Sequence, residues 1–228
     1  MADTQALRIT FEEYASRIID RLVAELDTFD KVLSDWELIR NAESDPAWHG
    51  GGQLGNLSFS MTCAAISAFD AFARAIYEDG EQVQKVGNKV RMKSLLDDSR
   101  FFDARLYGNS EVFYTLVRCG VMHQVHPVNI GLASDKSSSR PLTKNGEHFT
   151  LNAYALYLDI LRGLKEVHKF AKSDENWCLI LNNNCCSLLE RDAKSMGTAE
   201  VMKGLNSLPS ISNTPVATQP PLGIGVRH

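Results

Sequence analysis

Thr10-Phe11-Glu12-Glu13 is the stretch that decides how this chain folds. A threonine three residues ahead of a glutamate is a capping box. The hydroxyl accepts from the third helical amide, and the carboxylate reaches back to the amide of the cap. Both acids also suit the positive end of a helix, so a helix is predicted from Phe11. Beyond it, Tyr14, Ile18, Leu22, Leu26, Phe29, Leu33, Trp36 and Ile39 recur mostly at three- or four-residue steps. They form one apolar stripe through about eight turns. A stripe of that length has to be covered by other helices. The chain therefore reads as all-α, a bundle of about five main helices.

Working outward, Ser44-Asp45-Pro46 closes the first helix, and the glycines at 50, 51, 52 and 55 predict a mobile loop. A second helix is predicted from about Asn56 to Asp79, with Gly80 as its C-terminal cap. Its Met61, Ala65, Phe69, Phe72, Ala73 and Ile76 lie among many small residues that let a neighbour come close, and Cys63 belongs to the same packing. Asp70 and Arg74 are spaced to pair across one turn, which reads as a solvated pair. From Glu81 to Tyr107 the pattern weakens into short helices and turns. Here Lys85, Lys89, Arg91 and Lys93 fall together with no acid between them, and Phe101, Phe102 and Tyr107 offer aromatic surface. This is a candidate phosphate-contacting face; a solvated basic loop is the plainer alternative.

A third main helix starts near Asn109 or Ser110 and ends in Leu116-Val117-Arg118-Cys119-Gly120-Val121-Met122-His123-Gln124, before His126-Pro127. His123 flanks its apolar face. On an ideal helix Arg118 lies about 140° away. The two side chains then meet at one group only if the arginine curls, the helix end is distorted, or a second copy completes the site. A polar insertion at about 127–147 follows, with Asp135 to Arg140 as an exposed tip and Asn145-Gly146 as a turn signal for a small hairpin. Lys136, Arg140 and Lys144 add positive charge near the motif helix. A fourth helix is capped at Asn152. A fifth, from about Asp174 to Ala193, is interrupted by Asn182-Asn183-Asn184. Residues 1–194 thus read as one helical domain and 195–228 as an extended or disordered tail, since four of the seven prolines fall in the last 20 residues.

Composition narrows the function classes. At 44% apolar residues the chain fills a core. No uninterrupted apolar run approaches a membrane span, and the N-terminus lacks the form of a signal peptide, so a cytoplasmic protein without a membrane is expected. Five cysteines, with no Cys-x-x-Cys spacing, suggest neither a disulfide framework nor a zinc ribbon. No metal and no cofactor is expected. The formal charge of −4 argues against a uniformly basic nucleic-acid binder. Residues 81–172, however, hold 14 Lys/Arg against nine Asp/Glu, leaving this segment at +5 and open to an anionic partner.

Arg118-Cys119-Gly120-Val121-Met122-His123 resembles the Arg-x4-6-His signature of the HEPN superfamily, in the Arg-Cys-Gly-Leu-x-His form associated with prokaryotic defence and toxin proteins. The helical order, the Phe113-Tyr114 turn and Ala68-Phe69-Asp70-Ala71-Phe72-Ala73-Arg74 agree with it. Many active members carry Asn, Asp or His after the arginine, where this chain has Cys119. A second match to the spacing, Arg162 to His168, falls on a core stripe and reads as a boundary histidine. The resemblance implies a HEPN-like bundle acting as a metal-independent endoribonuclease, with RNA as partner, 2′,3′-cyclic phosphate products and a homodimer that brings two motifs together. A toxin or antiphage-defence setting, with an antitoxin or other defence protein as partner, goes with it. Arg118 would hold the scissile phosphate, His123 would exchange protons, and Lys85, Lys89, Arg91 and Lys93 would steer RNA. His126 reads as a turn residue, His49 as structural. The alternatives are a non-catalytic HEPN-like module binding RNA, a nucleotide or a protein, and a purely structural helical protein.

Overall fold

The computed structural model describes residues 9–42, 51–77, 87–120 and 130–197. Residues 1–190 form one compact unit; of the second, 191–228, the described part is the end of the last helix. The fold is mostly helical with one small sheet.

Helix α1, Phe11–Ala42, begins at the capping box: Glu13 N–H donates to Thr10 Oγ1 at 3.2 Å and Thr10 N–H to Glu13 Oε2 at 3.0 Å. Helix α2 is Gly51–Tyr77. It starts ahead of the expected Asn56 and takes in the glycines at 51, 52 and 55, which correct the predicted loop. Glycine lowers helix propensity by about 1 kcal/mol, a weak prior against cooperative extension from a well-packed helix. Leu57–Tyr77 is also long and apolar enough, by length and composition, to cross a membrane. It is not an uninterrupted apolar run, because Ser, Thr, Asp70 and Arg74 break the stretch. Its apolar side chains are used internally: Met61, Ala65, Phe69, Phe72 and Ala73 are fully buried.

Helix α3 is Asn88–Asp97, and a single 3-10 turn follows at Ala104–Tyr107. Phe101, Phe102 and Tyr107 are not aromatic surface, as expected from the sequence, but core. Phe102 meets Phe69 edge-on at 5.2 Å, Phe113 meets Phe69 at 5.4 Å and Tyr107 at 5.0 Å. Tyr107 donates its hydroxyl to Asp159 Oδ2 at 2.7 Å. Burial first, and the Asp159 charge second, push that phenol well above its ordinary pKa.

Helix α5, Ala153–Ser173, packs along both α1 and α2 and holds the bundle together. Its buried Tyr157 donates to the Leu22 carbonyl at 2.8 Å. On another face Gly163 leaves room for the Phe102 ring. The last helix among the described residues, α6, is Glu175–Met196, with Asp174 accepting from Trp177 N–H at 3.0 Å. Its asparagine run is no interruption. Asn182 Oδ1 accepts from Phe11 N–H at 2.7 Å, and Asn184 Nδ2 donates to the Ala75 carbonyl at 3.0 Å. These groups are the unpaired amide at the start of α1 and an unpaired carbonyl at the end of α2.

The insertion holds three strands rather than two: β1 Ile130–Ala133, β2 Leu142–Asn145 and β3 His148–Asn152, in the order β1-β3-β2. β2 and β3 form the expected hairpin, with Asn145 opposite His148 and Gly146 at φ +62° opening the turn. β1 runs parallel to β3, Ile130 opposite Phe149. The segment at 135–140 is pinned rather than a free tip. Asn152, which caps α5, also donates through Nδ2 to the Asp135 carbonyl at 2.7 Å and the Ser138 carbonyl at 3.2 Å. Lys136 Nζ reaches Asp30 Oδ1 on α1 at 2.7 Å, so its charge serves α1 and not the motif helix.

Candidate functional site

The run that carries Arg118 starts as predicted. Asn109 Oδ1 accepts from Val112 N–H at 2.8 Å, after a turn that needs Gly108 at φ +82°. Ser110 Oγ donates to Asp97 Oδ2 at 2.9 Å and ties this start to the end of α3. Helix α4 is a single α-turn, Ser110–Val112, and then widens into a π-helix over Phe113–Cys119. Gly120 N–H is shared between the Thr115 carbonyl, five residues back, and that of Val117. Phe113 and Val117 face the core, while Glu111, Thr115 and the half-buried Tyr114 and Arg118 lie off it. The ladder before Arg118 is therefore wound more loosely than 3.6 residues per turn, while the angle from Arg118 to His123 lies outside the described residues.

Tyr114 is the centre of the described part of the site. The Arg118 guanidinium lies 5.8 Å and the Lys89 ammonium 5.9 Å from its ring centroid, both within cation–π range. Burial first, then the adjacent Cys119 thiol, push the phenol up, and Arg118 opposes them. The phenol therefore stays protonated at neutral pH. Asp70 of α2 stands near enough to act on Tyr114, and Asn88 Nδ2 approaches Asp70 Oδ2 at 3.5 Å. The second carboxylate oxygen, Asp70 Oδ1, and the amide oxygen, Asn88 Oδ1, are each buried with no hydrogen-bond partner.

Of the residues expected from sequence, Arg118, Lys89, Arg91 and Lys93 lie in the described segments. His123, His126 and Lys85 lie outside the described residues. The structure brings Arg118 and Lys89 together over Tyr114 but does not gather the basic residues on one face. Lys89 and Lys93 are one turn apart on α3, while Arg91 sits about 200° round the helix from Lys89. Nor are the lysines without an acid. Glu111 takes Lys89 Nζ at 2.5 Å on one oxygen and Lys93 Nζ at 2.8 Å on the other. Lys89 first, then Lys93, pull this carboxyl down to about 2. Sequence reasoning missed Glu111, since its partners lie 22 and 18 residues away on another helix.

Among the described residues no three His, Cys, Asp or Glu side chains gather as for a metal. A groove of about 630 Å³ runs between α1 and α2, past Leu22, Phe29, Phe59 and Cys63. Its polar lining is Arg21 and Glu25, which pair with each other at 2.7 Å, with Ser60 and Ser67, and Arg118 is not among the lining residues. His168 is half-buried with Nε2 lacking a hydrogen-bond partner, and burial lowers its pKa. It reads as a boundary residue, as its place on the α5 stripe suggests.

Comparison of the chain with protein-family models, with curated proteins and with solved structures gives no match.

Proposed function

We propose that this protein is a HEPN-like, metal-independent endoribonuclease that works as a homodimer in a toxin or antiphage-defence setting. The observation that carries the reading is the position of Arg118: half-buried, at the end of a π-helix, and sharing the Tyr114 ring with a lysine. A π-turn weakens the backbone ladder and is frequent at functional sites. A guanidinium fixed against an aromatic ring can grip two oxygens of one phosphate.

In this mechanism the ribose 2′-OH attacks the neighbouring phosphorus and the bond to the 5′-oxygen breaks, leaving a 2′,3′-cyclic phosphate. Arg118 offsets the charge that builds on the phosphate oxygens. His123 exchanges the proton, since imidazole is the side chain whose unperturbed pKa, about 6.5, lies near neutral pH. One imidazole does not serve both sides of an in-line displacement, so the second proton is handled by the Arg118/His123 pair of a second copy. Cys119 occupies the place of a polar residue after the arginine. Its half-buried thiol beside Tyr114 contributes packing rather than a strong hydrogen bond.

The test is incubation of the purified protein with mixed RNA in EDTA, beside Arg118→Ala and His123→Ala variants. Cleavage with cyclic phosphate ends is expected, lowered on the order of 100-fold or more in each variant. Unchanged cleavage in either one removes the assigned site.

A second reading is favoured by Glu111. A carboxylate held between Lys89 and Lys93 suits a non-catalytic module whose basic surface is already neutralised and which binds a protein partner. Under that reading the wild type leaves RNA intact in the same assay.

A further inference from the structure

We propose that Lys89 and Lys93 form a subsite for one RNA phosphate next to Arg118, and that the Glu111 carboxylate occupies it in the resting protein. The inference rests on the ribonuclease reading above and adds a regulated binding step to it.

Four observations carry it. The two ammonium groups stand 2.5 and 2.8 Å from the two oxygens of a single carboxylate, the arrangement a phosphodiester offers with its two non-bridging oxygens. The Glu111 side chain is 49% exposed and those of Lys89 and Lys93 are 48% and 31% exposed, so solvent reaches all three groups. Lys89 also lies over the Tyr114 ring on which Arg118 rests, which makes the subsite continuous with the proposed catalytic arginine. Finally, Glu111 sits at the start of the run that carries Arg118, so the carboxylate and the proposed catalytic arginine belong to one continuous segment.

RNA that binds here displaces Glu111 from both lysines, and the carboxylate is left to water. The exchange needs no backbone rearrangement, since all three side chains are long and partly exposed. Glu111 thus lowers the affinity of the protein for RNA, and strands that cannot displace it are excluded.

The experiment measures anisotropy of a fluorescein-labelled 2′-O-methyl oligouridylate, which lacks the attacking hydroxyl. Wild type, Glu111→Gln, Lys89→Gln/Lys93→Gln and the triple variant are compared at about 50 and about 200 mM salt, the range over which phosphate contacts show. Glu111→Gln is expected to bind about tenfold more tightly at the lower salt. One phosphate contact adds about 0.7 to the log–log salt slope for a single strand, so the gain shrinks about 2.6-fold at the higher salt. In the Lys89→Gln/Lys93→Gln background the gain disappears. Affinity unchanged within about twofold, or an equal gain in the background without the lysines, overturns the subsite and leaves only a general charge effect. Cleavage of ordinary RNA that depends on Arg118, together with unchanged Glu111→Gln binding, sinks the subsite alone. No binding by any of the four proteins sinks it together with the ribonuclease reading.

Discussion

Gly163→Ala on α5 is expected to destabilise the protein, although alanine is the better helix former. A Cβ at this position would stand 2.2 Å from Phe102 Cε1, 2.3 Å from Cζ and 2.8 Å from Cδ1. Carbon atoms in favourable contact are about 3.5–4.0 Å apart, so the ring has to retreat by more than about 1 Å. It has little room to do so, being 3% exposed and set edge-on against Phe69 at 5.2 Å. Overpacking of this kind costs about 1–3 kcal/mol, and a clash this short belongs at the upper end. The gain in helix propensity offsets about 1 kcal/mol. The net loss is about 2 kcal/mol, or about 4–8 °C in Tm for a chain of this size. Urea unfolding and calorimetry of Gly163→Ala, Phe102→Leu and the double variant measure it. The double variant should lose less than the sum of the singles, because the smaller side chain makes room for the methyl group. A Gly163→Ala protein that melts at or above the wild type refutes the reasoning, since propensity would then have won.

Two further outcomes follow from buried polar groups. Tyr107→Phe removes the 2.7 Å donor to Asp159 and leaves that carboxylate with Arg162 at 2.6 Å; a loss of about 2 kcal/mol is expected in urea, and one under about 0.5 would show that water replaces the hydroxyl. His168 is held below its ordinary pKa, chiefly by burial and then by Lys172, against the opposing pull of Glu12 and Asp20. The unfolded chain therefore takes up this proton first as pH falls through about 6.5, and stability drops between there and the lower folded value. The urea midpoint of wild type should fall more steeply across that window than that of His168→Gln; parallel curves would show that His168 does not contribute.

The parts of the fold legible in the sequence are those set by local chemistry. Thr10 with Glu13, Asn109, Asn152 and Asp174 each cap a helix where a short polar side chain precedes an apolar stripe. The hairpin turn at Gly146 was legible for the same reason. What stayed hidden depends on partners far along the chain. Ile130–Ala133 is a strand only because β3 lies beside it, and four residues carry too little alternation to announce it. Phe101, Phe102 and Tyr107 looked like surface because they follow a basic stretch, yet Phe69 meets Phe102, Phe113 meets Tyr107, and Phe170 and Trp177 meet Phe101. At the site, the cap at Asn109 and the apolar face of Phe113 and Val117 could be read in advance. The π-turn could not, since no glycine or proline falls within Phe113–Cys119 to mark it.

The asparagines of α6 also bear on the order in which the protein assembles. Synthesis runs from the N-terminus, so α1 and α2 leave the ribosome long before Asn182 and Asn184, the side chains that bind the first amide of α1 and a late carbonyl of α2. Until Asn182 and Asn184 have been made and have left the ribosome, those two helix ends have only water for partners. The nascent chain is thus held short of its final packing until its own last helix arrives, and a truncation before residue 182 leaves a bundle with two frayed ends rather than a shorter native one.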